Sequence, residues 1–123
     1  MTTERALEDF IADTFVSVWT LELLSLLLDS PDASFARGEL VDRLRASDSV
    51  VLQGVSALVS AGLAVVDERD CVHFRPIDTE LEDCARQAVD FYRKFPGRAR
   101  RLIISRSSPG LAAFADAFRL RKE

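Results

Sequence analysis

The chain has 123 residues, of which 48% are apolar and 29% charged, and a formal net charge of −4. That length and balance exclude disorder over most of the chain and suit one domain, or a small domain with an extension, built on a real core. The longest near-apolar run, Phe15 to Leu28, contains Ser17, Thr20, Glu22 and Ser25, too short and too polar for a membrane span. The opening Met1-Thr2-Thr3-Glu4-Arg5 has no signal-peptide pattern. Cys71 and Cys84 lack metal-site spacing and read as two thiols in a reducing compartment, so a cytoplasmic location with no cofactor is expected.

The charge is lopsided. Residues 1–92 carry 7 basic and 18 acidic side chains, a balance of −11, whereas residues 93–123 carry 9 basic and 2 acidic, a balance of +7. Such asymmetry points either to nucleic acid at the basic end or to a basic tail lying on an acidic surface of the same protein or its twin.

In chain order, Thr3 to Asp13 reads as an amphipathic helix with Ala6, Leu7, Phe10 and Ile11 on one stripe. From Phe15 to Leu28 the pattern is apolar on most faces and predicts a buried helix, with Thr14 or Ser17 as the cap and Trp19 in the core. Asp29 to Ser34 is a loop around Ser30-Pro31-Asp32. Phe35 and Leu40 fit a hydrophobic staple, with Ala36 at the cap and Glu39 at the third helical position. The missing hydroxyl or carboxylate at that cap weakens the helix start by about 1 kcal/mol.

The most ordered stretch follows. A short helix, Gly38 to Leu44, leads through the turn Arg45-Ala46-Ser47 to a longer helix, Asp48 to Ala61, in which Val51, Val55, Leu58 and Val59 recur at helical spacing. Ser47 sits where its hydroxyl can accept an orphan amide, and Asp48 suits the positive end of the helix dipole. Gly62 fits the left-handed position just past the helix. Two alternating runs, Leu63 to Asp67 and Cys71 to Arg75, join across Glu68-Arg69-Asp70 as a hairpin ended by Pro76.

Leu40 to Val66, with Ser47, Val51, Val55, Leu58 and the run Ala61-Gly62-Leu63, resembles the winged helix-turn-helix regulators of the broad MarR-like or ArsR-like kind. The resemblance covers about a third of the chain and implies a superfamily rather than one regulator. It predicts a mostly α fold with a small β-hairpin wing (α+β), with a winged helix-turn-helix domain over 1–77 and a helical C-terminal extension over 78–123 for dimerisation or docking. It also implies double-stranded DNA as a partner, transcriptional regulation as the role, and homodimerisation through the helix that follows the wing.

That helix is expected from a Thr79–Glu82 capping box to about Phe95, with a seam of Leu81, Cys84, Ala88, Phe91 and Phe95 that can pack on its own chain or on a second copy. Pro96-Gly97 breaks it, Arg98 to Ile104 continues helically, and Ser107-Ser108-Pro109 opens a last helix to Phe118 bearing Leu111, Phe114 and Phe118.

In the DNA reading, helix 48–61 enters the major groove and presents Ser49, Val50, Leu52, Gln53 and Ser56 from behind the Ser47 cap. The helix has no lysine or arginine, so phosphate contacts would fall to Arg43, Arg45 and Arg69, or to a phosphate-binding tail of Lys94, Arg98 and Arg101. The alternative is a winged-helix protein-interaction module without DNA binding, which docks through that non-basic helix or the C-terminal one. Catalysis is not expected: His73 and Cys71 have no third orienting group in the sequence, and there is no phosphate-binding glycine loop or zinc spacing.

Overall fold

The structure is a computed structural model and describes residues 4–15 and 17–107. Its elements are α1 (Glu4–Thr14), α2 (Val18–Asp29), β1 (Ser34–Ala36), α3 (Arg37–Leu44), α4 (Asp48–Ser60), β2 (Ala64–Val66), β3 (Cys71–Phe74), α5 (Thr79–Lys94) and α6 (Pro96–Ser107). The fold is therefore mostly helical with one small antiparallel sheet, in the order β1-β3-β2. The expected last helix, from Pro109 to Phe118, lies outside the described residues.

Local chemistry explains most of the element ends. The Ser47 hydroxyl accepts the Val50 amide at 3.2 Å and opens α4. Arg45 closes α3 in the left-handed region, at φ 54°. At the far end of α4, the Gly62 amide donates to the Val59 carbonyl (3.1 Å) and the Leu63 amide to the Leu58 carbonyl (2.9 Å), the paired bonds of a Schellman stop. Gly62 has φ +78°, and a side chain there would also meet Ile77 carbons at 3.1–3.3 Å. Gly62→Val is expected to cost about 2 kcal/mol, read as a lowered urea midpoint with an unchanged m-value.

Three expectations are corrected here. A three-residue strand, β1, precedes α3 where none was expected: Phe35 pairs across to Val72 of β3, while it and Leu40 keep the staple positions on either side of the Ala36 cap and are both buried. The cap of α5 is Asp78, whose carboxylate accepts the Leu81 amide at 2.7 Å, and Thr79 is already helical. Trp19 is 41% exposed: the buried face of α2 runs through Thr20, Leu24 and Leu27, and Trp19 falls one residue, about 100°, off it. The Ala36 cap, by contrast, is half satisfied as expected, its amide donating to Glu39 at 3.1 Å.

A single apolar cluster draws on every helix and on all three strands, including Ile11, Leu24, Leu40, Leu58, Val72, Ala88 and Ile103. Helix α2 lies at its centre against α4, and the approach is close where Gly54 faces the Thr20 backbone and the Leu23 side chain. The buried face of α5, Ala85, Ala88, Val89, Phe91 and Tyr92, packs within its own chain on α1, α2 and α6; of the expected seam, Ala88 and Phe91 lie on this face, Leu81 and Cys84 are half-buried and Phe95 is exposed. The Tyr92 hydroxyl donates to Glu22 of α2, tying the two helices by a side-chain bond across the core boundary. Burial first, and then this carboxylate, push the Tyr92 hydroxyl above its ordinary pKa. Among the described residues, no single helix is long and apolar enough to cross a membrane.

Candidate docking and nucleic-acid interface

Helix α4 and the hairpin form one continuous face. Leu52, Gln53, Ser56 and Ser60 project outward from α4, with Val50 and Ala57 half-buried beside them. Val59 is 42% exposed and Val66 of β2 41%, both joining Leu52 at 49%. The sequence groups Val59 with Val51, Val55 and Leu58 by helical spacing. Its position about 100° round the helix from Leu58, at the margin of the buried stripe, was the available signal.

The row Leu52–Ser56–Ser60, spaced four residues apart, stands as a ridge between two hollows. One, of about 890 Å³, is walled by Phe10, Asp13 and Thr14 of α1, by Leu81 of α5 and by Leu52, Gln53 and Ala57 of α4. The other, of about 300 Å³, lies between α4 and the hairpin and is lined by Leu52, Val55, Val59, Val66 and Val72 with Arg37 and Asp70 at its edge. Ridges of this spacing, flanked by grooves, are how helices accept other helices, and the two serines let a partner backbone come close.

The basic residues are disposed around this face rather than on it. Arg37 is held by Asp70 at 2.8 Å, joining α3 to the hairpin turn. The Arg43 guanidinium stacks 5.5 Å from the Phe35 ring. Arg43, Arg45 and Arg69 are exposed, at the end of α3 and at the hairpin tip. Asp48, Asp67 and Glu68 are exposed in the same region and carry the opposite sign. Ser47 and Ser49, expected to meet DNA, are engaged with each other at 3.4 Å around the cap.

The tail cations are not brought to α4, and most meet acids of their own chain. Arg93 donates to Asp29 and to Ser25, each at 2.8 Å, and Lys94 pairs with Asp90 at 3.1 Å. Arg98 reaches Glu8 of α1 at 2.6 Å and lies over the Phe91 and Phe95 rings at 5.4 and 5.6 Å. Arg101 is exposed on the same side of α6, beside Arg98 and Glu8. A basic tail lying on an acidic surface of its own chain is the arrangement seen for these residues, each pair being worth up to about 1 kcal/mol at most.

The hairpin turn is built on one carboxylate. Asp67 accepts the Arg69 amide at 2.9 Å and the Cys71 amide at 3.0 Å, and His73 Nε2 lies 2.6 Å from its other oxygen. Asp70 sits in the left-handed region at φ 61°, which the tight turn requires. The His73 contact first, then the Cys71 amide, hold the Asp67 carboxyl below its ordinary pKa. The Cys71 thiol donates instead to the Arg69 carbonyl at 3.8 Å. These contacts give His73 the third group that the sequence did not reveal, but they serve the turn. Because the folded pKa is depressed, the contribution of Asp67 is present above its unfolded value of about 3.9 and is lost as pH falls through the lower folded value. Amide exchange at Cys71 and Arg69 should accordingly quicken below about pH 4, ahead of Val72; unchanged relative protection down to pH 2 would contradict this.

Among the described residues, no group of three or more His, Cys, Asp or Glu side chains is placed to hold a metal ion. No protein-family model, curated protein or solved structure matches the chain.

Proposed function

We propose that this chain is a winged helix-turn-helix module whose α4–hairpin face docks on another protein. The order helix, strand, helix, turn, helix, hairpin, with β3 in the middle of the sheet, supports the winged-helix reading. The observation that carries the docking reading is the composition of the face: α4 contains no lysine or arginine and turns Leu52 and Val59 outward beside Val66. Contiguous exposed apolar surface of this kind, rimmed by polar groups, marks protein interfaces, and anchors of this type carry most of the binding energy there. Homodimerisation through the α5 seam is not part of the proposal, because Ala88 and Phe91 at its centre are buried against the chain's own helices.

A second reading, regulation through double-stranded DNA, is favoured by Arg43 and Arg45 standing exposed at the end of α3 and Arg69 at the hairpin tip. Three phosphate contacts give a salt slope of only about −2.7, against 6–10 contacts for strong DNA binders. The nearby Asp48, Asp67 and Glu68 oppose even these. The test is a photo-crosslinking residue in place of Leu52 in the full chain, in its native cell, with the same residue in place of exposed Asp32 as control. A discrete protein adduct at 52 that Val59→Asp removes supports docking. Nucleic-acid adducts, or identical products at 52 and 32, overturn it.

A further inference from the structure

The larger hollow has a length and a charge that select among protein partners. We propose that the groove between α1, α4 and α5 takes a cationic amphipathic helix of another protein, with its apolar stripe in the groove and its lysines or arginines on the rim. The inference rests on the docking reading above and names the chemistry of the partner. The wall along α4 runs from Leu52 to Ala61, about 14 Å of helix axis. A helix lying beside it presents side chains at i, i+4 and i+7 over about 10 Å, so three anchors fit the wall. Phe10, Ala57 and Leu81 give these anchors apolar surface, and Ser56 and Ser60 let the backbones come close. Ile77 continues that surface: it is 77% exposed, and its amide donates to the Gly62 carbonyl just past the end of α4.

Charge decides the kind of helix. Asp13 is the only charged side chain among the described residues that line the groove. It stands in the last turn of α1, where the helix dipole is already negative, and that turn holds no basic residue. Arg5, the one cation on α1, lies two turns back. The last turn of α4 holds no basic residue either, and Ser60 and Ala61 put that end on the groove wall. Two negative helix ends therefore border the groove without a cation in either last turn. Asp9, one turn before Asp13, and Glu80, next to Leu81, are exposed and add the same sign.

Other occupants match this groove less well. A polyanion meets carboxylates and negative helix ends there, and an acidic helix meets the same repulsion. A second copy of the chain offers α6 as its cationic helix, but Ala99 and Ile103 of α6 are buried in its own core, so they cannot supply the stripe. Opposite charge along the rim fixes which partner is accepted and how it lies, while the apolar anchors hold it.

The test is fluorescence anisotropy of the full chain against three labelled peptides of about 14 residues, long enough to span the α4 wall. One is a helix with a leucine stripe and lysines elsewhere; the second replaces its lysines with glutamates; the third scrambles the lysine peptide so that no stripe remains. At about 0.15 M salt, the striped lysine helix should bind about tenfold tighter than either of the others. Asp13→Asn with Glu80→Gln should weaken it about fivefold. Asp32→Asn with Asp42→Asn, an equal change of charge at exposed positions outside the groove, should leave it unchanged. No binding of the striped lysine helix, equal binding of either other peptide, or equal losses in the two charge variants would each overturn the proposal. A protein adduct at 52 that persists beside any of these results would leave the docking reading standing, with a partner of another kind.

Discussion

Leu58→Ala is expected to lower stability by about 3 kcal/mol, and Leu52→Ala on the same helix by less than about 0.5 kcal/mol. The chemistry of the two changes is identical, so only placement separates them. Leu58 is fully buried in the shared core, where deleting three carbons removes transfer energy and leaves a cavity. Leu52 is half exposed on the ridge, and shortening it returns little surface to water. In a molecule of this size, the first change should lower the melting temperature by roughly 10 °C and the second by a degree or two. A large loss for Leu52→Ala would mean that its side chain supports the fold and is not held out for a partner.

Ile103→Ala carries the second large expectation, again about 3 kcal/mol. Ile103 belongs to α6 and is buried among residues of the same cluster that holds Leu24 and Leu58. Helix α6 rests on α1 and α5, and α5 rests on α2, so the last two helices complete the core that the first four begin. One transition, lowered as a whole, should follow by both circular dichroism and the fluorescence of Trp19. Two separated transitions, with only the first moved by the substitution, would show that α5 and α6 melt independently.

What the sequence revealed depended on how local the cause was. The α3–turn–α4 unit was legible because each end is set by a neighbour: Ser47 caps Val50, and Gly62 takes a conformation that other residues resist. The hairpin was legible from alternation over two short runs. Strand β1 was not, because three residues carry no period and its ladder partner, with Phe35 opposite Val72, lies far along the chain. Trp19 was misplaced, and Val59 grouped with Val55 and Leu58, for a related reason. Periodicity says which residues share a helix face, but where the buried stripe stops is decided by the neighbouring helices.

The candidate site was legible in part. The α4 positions Leu52, Gln53 and Ser56 do face outward, and the absence of cations on that helix was visible from the start. Hidden from sequence were the pairings that engage the remaining charge. Arg37 with Asp70, Arg98 with Glu8 and Tyr92 with Glu22 join residues on different elements, and only tertiary geometry brings them together. The apolar ridge with a hollow on each side likewise needs α1, α5 and the hairpin in place before it exists.

The most direct measurement is fluorescence anisotropy of the full chain against labelled duplex DNA across a salt series. A face that docks on protein predicts no saturable binding at about 0.15 M salt, and at lower salt at most a weak association with a slope no steeper than about −3. Tight binding near physiological salt would contradict the account, above all with a steeper slope that Arg45→Ala and Arg69→Ala each reduce by about one. It would place DNA, not protein, on α4.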